Sequence, residues 1–213
     1  MKLYKEDLDF NLPSDMENLV SDRLHPVYRN LLAFKNNELW GWVPPNEEVF
    51  DFFESIAEYT SVSRILEFGY CLGYSSTYQL TVHPNATLDT YDVVNHFFNQ
   101  NIYDTNGTFN LKLAYPGQAM DLGLLVWGNR LKIHLEKSFN AHSNHKQGEF
   151  DYVFIDGDHS IEGLLLDIEQ AKILKIPFVV IDNVKQIKHI SEVVEHNKEQ
   201  GIFKEIKRMD YST

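Results

Sequence analysis

Short apolar runs alternate with longer amphipathic stretches from residue 46 onward. Five of the apolar runs have the length and composition of buried strands: 64–68, 87–91, 131–135, 152–155 and 178–181. Helical spacing of apolar positions predicts helices in the segments between them: 75–80, 117–127, 161–174 and 187–199, after a first helix that starts at residue 46. Strands that alternate with helices are typical of a parallel sheet with crossover connections. The pattern therefore predicts an α/β fold with a doubly wound, mostly parallel sheet.

Three regions do not follow this alternation. Residues 1–45 lack a clean period and end in two prolines, which predicts a helical N-terminal arm or lid before a main domain at 46–213. The region 96–115 is rich in Asn and aromatic residues, and we expect it to cover part of the domain. A last strand is expected from Phe203.

The first predicted strand leads into a glycine turn in the segment ILEFGYCLGYSS. Gly69 and Gly73 allow a tight turn and a close approach of the backbone to a ligand. A helix that starts near Ser75 would direct its free N–H groups at the same place. Glu67 lies inside the apolar strand, where a carboxylate must bind a ligand or be hydrogen-bonded. After the next strand, Asp92 is suited either to the ribose hydroxyls of an adenosine cofactor or to a simple turn.

The last two predicted strands end in polar side chains. The segment FDYVFIDGDHSIEG ends its strand at Asp156, Asp158 and His159, and FVVIDNV ends at Asp182 and Asn183. Turn chemistry alone could explain the first group. Because carboxyl ends of parallel strands meet at one edge, Asp156, Asp182 and Asn183 could also supply oxygen ligands to a hard cation such as Mg²⁺.

Composition narrows the classes of function. A length of 213 residues favours one main domain, and a formal charge of −12 argues against nonspecific nucleic-acid binding. No apolar run is long enough to span a bilayer, and the N-terminus lacks the apolar core of a secretory signal. The single cysteine, Cys71, excludes an internal disulfide and fits a cytoplasmic location. We expect a small-molecule substrate, and the sequence leaves a homo-oligomer open.

Together, the glycine turn and the fourth-strand segment resemble the class I methyltransferases that use S-adenosylmethionine. Within that class they are similar to small O-methyltransferases, including the cephalosporin hydroxylase-like and macrocin-type groups. ILEFGYCLGYSS resembles the cofactor loop, and FDYVFIDGDHSIEGLLLDIE resembles the fourth-strand motif, in a likeness that spans 46–184. The resemblance implies a Rossmann-like fold, S-adenosylmethionine as cofactor, and methylation of a small-molecule or sugar hydroxyl.

The resemblance also implies roles for individual residues. The cofactor-binding set comprises Glu67, Gly69, Tyr70, Gly73, Ser75, Asp92, Ser138 and Asp156. Glu67 and the two glycines would surround the methionine part and Asp92 the ribose, while Ser138 lies where the family has residues near the adenine. Asp156, Asp182 and Asn183 would form the metal set, and Asp156 with His159 the catalytic set.

Several alternatives stay open. A bound metal would lower the pKa of the acceptor hydroxyl, whereas in its absence His159 is the candidate base. A catalytically inactive ligand-binding domain of the same fold is the main alternative function. A nicotinamide enzyme is disfavoured because the glycine spacing is not G-x-G-x-x-G.

Two further features have plain interpretations. Cys71 lies in the cofactor turn, but a single thiol without assigned His and Asp partners is expected to pack rather than react. His142 and His145, in AHSNH, have a spacing that a metal could use. We favour a solvated loop there, because the surrounding sequence supplies no third ligand.

Overall fold

The computed structural model describes residues 47–71, 73–93, 120–121, 123–184 and 187–202. The predicted N-terminal arm, the region 96–115 and the strand from Phe203 lie outside the described residues. Within the described ranges, no helix combines the length and apolar character needed to cross a membrane.

Five strands of the described chain form one sheet. They are β1 (Arg64–Phe68), β2 (Thr87–Tyr91), β3 (Leu131–His134), β4 (Tyr152–Ile155) and β5 (Phe178–Ile181). Their order is β3-β2-β1-β4-β5, and every neighbouring pair is parallel. The predicted α/β class and the parallel sheet are therefore confirmed. β2 and β3 lie on one side of β1, and β4 and β5 lie on the other, so the order of the strands switches side between β1 and β4. Ligands bind at the carboxyl ends of the strands at such a switch point, and we expect a crevice there.

All but one of the described helices lie in predicted places. The exception is the short helix Ala141–Asn144, which lies in the AHSNH segment that we expected to be a loop. The helices are α1 (Glu47–Ser55), α2 (Tyr74–Val82), α3 (Ala141–Asn144), α4 (Ile161–Ile173) and α5 (Lys188–Glu199), and the segment 123–127 is also helical. Ser160 begins α4 as its N-cap, because its Oγ accepts a hydrogen bond from the N–H of Gly163 at 3.0 Å. Short 3-10 turns lie at Ile56–Glu58, Gly128–Arg130 and Ser138–Asn140.

Apolar side chains are buried on both faces of the sheet. On one face, α1 and α2 contribute Phe50, Phe53 and Tyr78 to a core that includes Ile65 of β1. On the other face, α4 and α5 pack against a second core that includes Leu66 of the same strand. Each buried side chain of this size contributes about 1.5–3 kcal/mol to folding. Burial on both faces explains why the strands are continuous apolar runs rather than alternating ones.

Candidate active site

Both glycines of the turn after β1 have positive φ angles and close neighbours. At Gly69, with φ +96°, a Cβ atom would lie 2.3 Å from the carbonyl oxygen of Asp156, so this position allows β1 and β4 to approach closely. At Gly73, with φ +74°, a Cβ atom would lie 2.5 Å from the ring of Tyr70. The side chain of Tyr70 is buried in the core. If Tyr70 contacts a cofactor as predicted, it therefore does so through its backbone.

Asp92 fixes the same turn from the end of β2. Its Oδ2 accepts hydrogen bonds from the backbone N–H of Tyr70 at 2.9 Å and of Cys71 at 2.8 Å. The sequence placed Asp92 beside the glycine turn, and the structure brings the two together. Cys71 is partly buried against the core, in agreement with the expected packing role.

Glu67 is fully buried and is bound to the side chains of α2. Its carboxylate accepts hydrogen bonds from Ser75 Oγ at 2.6 Å, from Ser76 Oγ and from Gln79 Nε2 at 3.0 Å. Burial raises the pKa of Glu67 to about 7, and the serine hydrogen bonds oppose that rise. We expected a carboxylate inside this strand to bind a ligand or to be hydrogen-bonded, and side chains of α2 provide the hydrogen bonds. The predicted contacts of Glu67 and Ser75 with a cofactor stay predictions.

An acidic rim forms where β4 and β5 end, and we define it as Asp156, Asp182 and Asn183. The carboxylate of Asp156 lies close enough to that of Asp182 to affect its pKa, and Asn183 Nδ2 donates to Asp182 Oδ2 at 2.9 Å. Burial raises the pKa of Asp182 to about 7, and the negative charge of Asp156 adds to the effect. The structure thus brings together the three residues that the sequence placed at one edge, and metal binding by them stays a prediction.

His159 lies beside the acidic rim. Its Nε2 is 3.1 Å from Asp156 Oδ1, and this hydrogen bond raises the pKa of His159 above its usual value. Its carbonyl oxygen is held by His189 Nε2 of α5, 2.6 Å away. The carboxylates therefore favour the imidazolium form, which makes His159 a poorer base at neutral pH than an unperturbed histidine.

Ser138, predicted to be near the adenine, contacts a buried acid that the sequence reading missed. Its side chain is hydrogen-bonded to Asp167 of α4, whose side chain is almost fully buried. Burial raises the pKa of Asp167 to about 7, while the bond to Ser138 opposes that rise. The burial of Asp167 could have been predicted from the sequence, because Asp167 lies three residues after Leu164 and four before Ala171, on the same buried face of the helix.

The AHSNH histidines have different surroundings. His142 is exposed, with Nδ1 2.9 Å from Gln170 Oε1 of α4. The side chain of His145 is only 4% exposed. The interpretation of this segment as a solvated loop is therefore wrong for His145, because residues from distant strands, not neighbours in sequence, surround it.

No family model matches the sequence, and no curated protein matches it significantly. Solved structures do match. A candidate caffeoyl-CoA O-methyltransferase from Staphylococcus aureus has a TM-score of 0.54 at 17% identity, over 86% of this chain and 84% of that chain. A protein from Corynebacterium glutamicum has a TM-score of 0.51 at 14% identity, over 75% and 73%. The cofactor-bound protein Rv0187 from MTB has a TM-score of 0.50 at 16% identity, over 77% and 72%.

The chain has the class I methyltransferase fold. The strand order and the likeness to these structures together decide this, and they confirm the predicted Rossmann-like architecture. In an open α/β sheet of this kind, ligands bind outside the carboxyl ends of the strands. The glycine turn, Asp92 and the acidic rim of this methyltransferase fold all lie at that edge.

Proposed function

We propose that the protein is an S-adenosylmethionine-dependent O-methyltransferase that acts on a small-molecule or sugar hydroxyl. The observation that supports this most is the convergence of two features at the reversal point of the sheet. One is the glycine turn fixed by Asp92, and the other is the Asp156 and Asp182 pair. Methyl transfer to oxygen needs a site for the sulfonium cofactor and a carboxyl group that orients the acceptor hydroxyl or takes up its proton.

The geometry of the glycine turn supports cofactor binding. A Cβ atom at Gly69 would clash with the backbone of Asp156, so glycine is what lets the turn pack against the end of β4, where ligands bind in a sheet of this kind. Asp92 already accepts two backbone hydrogen bonds through Oδ2. A carboxylate accepts about four hydrogen bonds, so ribose hydroxyls can add to those two. In this proposal Asp92 fixes the turn and binds the ribose at the same time.

The acidic rim fits a hard divalent cation such as Mg²⁺. The negative charge of Asp156 acts on the carboxylate of Asp182, so a proton or a cation bound between the two would stabilise the pair. Asn183, at φ +57°, brings an amide next to this pair. Carboxylate and amide oxygens are the ligands that such a cation prefers. When bound, the cation would lower the pKa of the acceptor hydroxyl.

Methyl transfer from the sulfonium is an in-line displacement. The acceptor oxygen forms a bond to the methyl carbon, the bond from carbon to sulfur breaks with its electron pair left on sulfur, and the acceptor loses its proton. Holding the oxygen against the methyl group can supply about 7–11 kcal/mol of barrier reduction. Asp156 orients the acceptor, and in the metal-free mechanism Asp182, whose pKa burial raises to about 7, is suited to hold the released proton.

The first experiment separates cofactor binding from turnover. Calorimetry with S-adenosylmethionine should give one binding event per chain, and the thermal midpoint should rise because the ligand binds the native state. Incubation with a panel of phenols and sugars should then release S-adenosylhomocysteine for at least one acceptor class. Binding without turnover on any hydroxyl would favour an inactive cofactor-binding domain. Absence of binding would reject the methyltransferase and favour a domain of the same fold that binds another ligand.

The second experiment tests the acidic rim. Asp156→Ala should abolish turnover while the protein stays folded, whereas Glu169→Gln on the exposed surface of α4 should leave turnover unchanged. Turnover measured with and without a chelator distinguishes the metal-assisted mechanism from the metal-free one. Undiminished turnover after chelation would exclude the cation, and unchanged turnover in Asp156→Ala would exclude the proposed mechanism.

A further inference from the structure

A second cluster of metal-ligating side chains lies away from the acidic rim. It consists of Asp89 in β2, His134 at the end of β3 and His145 just after α3, and one donor atom of each lies within 4.8 Å of the others. His134 Nε2 is 2.8 Å from Asp89 Oδ1, and His145 Nε2 is 3.9 Å from the same oxygen. Their side chains are 7%, 9% and 4% exposed, respectively, so the cluster is almost fully enclosed.

One buried atom in this cluster lacks a partner. His145 Nε2 has no hydrogen bond to any other group in the described part of the chain. The opposite ring atom, Nδ1, is 3.5 Å from Glu149 Oε1. An acceptor on that side favours the proton on Nδ1, which directs the lone pair of Nε2 towards Asp89. A lone pair that faces a carboxylate oxygen inside a protein is unfavourable unless a cation lies between them.

A carboxylate lies on the Nδ1 side of each imidazole ring. Glu149 Oε1 faces Nδ1 of His145, and Glu136 Oε1 is 3.9 Å from Nδ1 of His134. Both rings therefore present Nε2 to Asp89 and Nδ1 to an acid. Histidines that bind a metal commonly have such an acid on the other ring nitrogen, since it fixes the tautomer and strengthens the ligand.

Two further contacts orient the ligands. Arg64 Nη2 is 3.1 Å from Asp89 Oδ2, which leaves Oδ1 directed at the histidines. The Tyr91 ring stacks on His134, with centroids 4.3 Å apart and planes 2° from parallel. Lys132 Nζ is 3.8 Å from Asp89 Oδ1, but its side chain is 67% exposed and can turn into solvent. The surroundings thus hold one carboxylate oxygen and two ring nitrogens in fixed directions.

We propose that Asp89, His134 and His145 bind one divalent transition-metal ion of the Zn²⁺ type in a structural site. Two imidazoles and a carboxylate are ligands that Zn²⁺ accepts, at about 2.0–2.2 Å in a tetrahedral arrangement. That geometry separates neighbouring donor atoms by about 3.3 Å, and the two separations from Asp89 Oδ1, 2.8 and 3.9 Å, lie on either side of it. Small side-chain shifts would therefore complete the site.

The bound ion would tie the segment 135–149 to the edge of the sheet. Because the three side chains are almost fully enclosed, the proposed role is structural rather than catalytic. Binding would displace the proton between His134 Nε2 and Asp89, so affinity should fall as the pH is lowered. The proposal concerns a different part of the sheet from the acidic rim and does not rest on methyl transfer.

The test uses the full chain, first stripped with a chelator and then titrated with Zn²⁺ alone by calorimetry. We expect one ion per chain at this cluster, in addition to any ion at the acidic rim, and a rise in the thermal midpoint on binding. His145→Ala and Asp89→Asn should each weaken binding by more than about 100-fold, since outer-shell changes alone cost 10–100-fold. His196→Ala, which removes an exposed histidine of α5, should bind as the unmodified protein does. Asp182→Asn should also retain the ion.

A measurement on the unmodified protein covers the case in which a variant fails to fold. Co²⁺ in place of Zn²⁺ should give the intense visible absorption of a four-coordinate site, and Zn²⁺ should abolish it. The proposal is overturned if the stripped protein binds no stoichiometric Zn²⁺ or shows no such band. It is also overturned if binding survives both His145→Ala and Asp89→Asn, or if Asp182→Asn loses the ion while His145→Ala keeps it.

Discussion

The buried carboxyl group of Glu67 should make the stability of the protein depend on pH. Burial raises its pKa from the ordinary 4.5 to about 7. A carboxyl group with a raised pKa holds more protons in the folded than in the unfolded chain at intermediate pH. Its favourable contribution is therefore complete below about pH 4.5 and is lost as the pH rises through 7. Replacement by glutamine keeps the size of the side chain and removes the ionisation.

The size of the effect follows from the two pKa values. A difference from 4.5 to about 7 is worth about 3 kcal/mol, because one pKa unit corresponds to 1.36 kcal/mol. Between pH 5 and pH 8 the unmodified protein should lose about 2.5 kcal/mol through this group. Asp167 and Asp182 titrate in both proteins, so their contributions cancel in the comparison. The free energy of unfolding of Glu67→Gln, relative to the unmodified protein, should thus rise by about 2.5 kcal/mol over this range.

Urea unfolding followed by far-UV circular dichroism measures this difference at half-unit steps of pH. Glu169→Gln, on the surface of α4, is the matched control and should follow the unmodified protein. Parallel curves for the unmodified protein and Glu67→Gln would refute the reasoning. They would mean that the hydrogen bonds from Ser75 and Ser76 offset the cost of burying the charge.

Three further predictions concern the strand ends. Gly69→Ala should lower the free energy of unfolding by more than about 2 kcal/mol, because the new Cβ would meet the Asp156 carbonyl. Gly148 also has a positive φ but open space around it, so Gly148→Ala should cost only about 1–2 kcal/mol. Equal losses in urea unfolding would contradict this. Asp92→Ala should weaken cofactor binding at least about tenfold in calorimetry, since two turn N–H groups lose their acceptor. NMR titration should find the pKa of His159 above 6.5 and nearer to it in Asp156→Asn; an unchanged value would exclude the carboxylate as the cause.

The strands could be predicted from the sequence because each is a short apolar run with a polar or glycine boundary. The bounds of β4 and β5 agree with the prediction to the residue. β3 ends at His134, one residue earlier than predicted, because Leu135 leaves the sheet and is 69% exposed. An apolar side chain next to a strand extends the periodic pattern whether or not it is buried.

The partners of the polar side chains could not be predicted, since they depend on which strands become neighbours. His145 illustrates this: its contacts with Asp89 and His134 come from β2 and β3, about 10 to 55 residues away in sequence. A search for ligands close to AHSNH could not have found them. Asp156 and Asp182 were foreseen because they share a simpler rule, namely that both directly follow parallel strands.

In the described part of the chain, burial raises the pKa of three acids to about 7: Glu67, Asp167 and Asp182. Glu67 is bonded to Ser75 and Asp167 to Ser138, so the surrounding protein meets their hydrogen-bonding needs. A neighbouring acid adds to the raised pKa of Glu67 and of Asp167 as well, but for Asp182 it is the strongest cause after burial. That neighbour is Asp156, whose side chain is still 14% exposed. A ligand that supplies positive charge or a proton there would relieve the repulsion. Binding of such a ligand should therefore flatten the part of the pH dependence due to Asp182 more than the part due to Glu67.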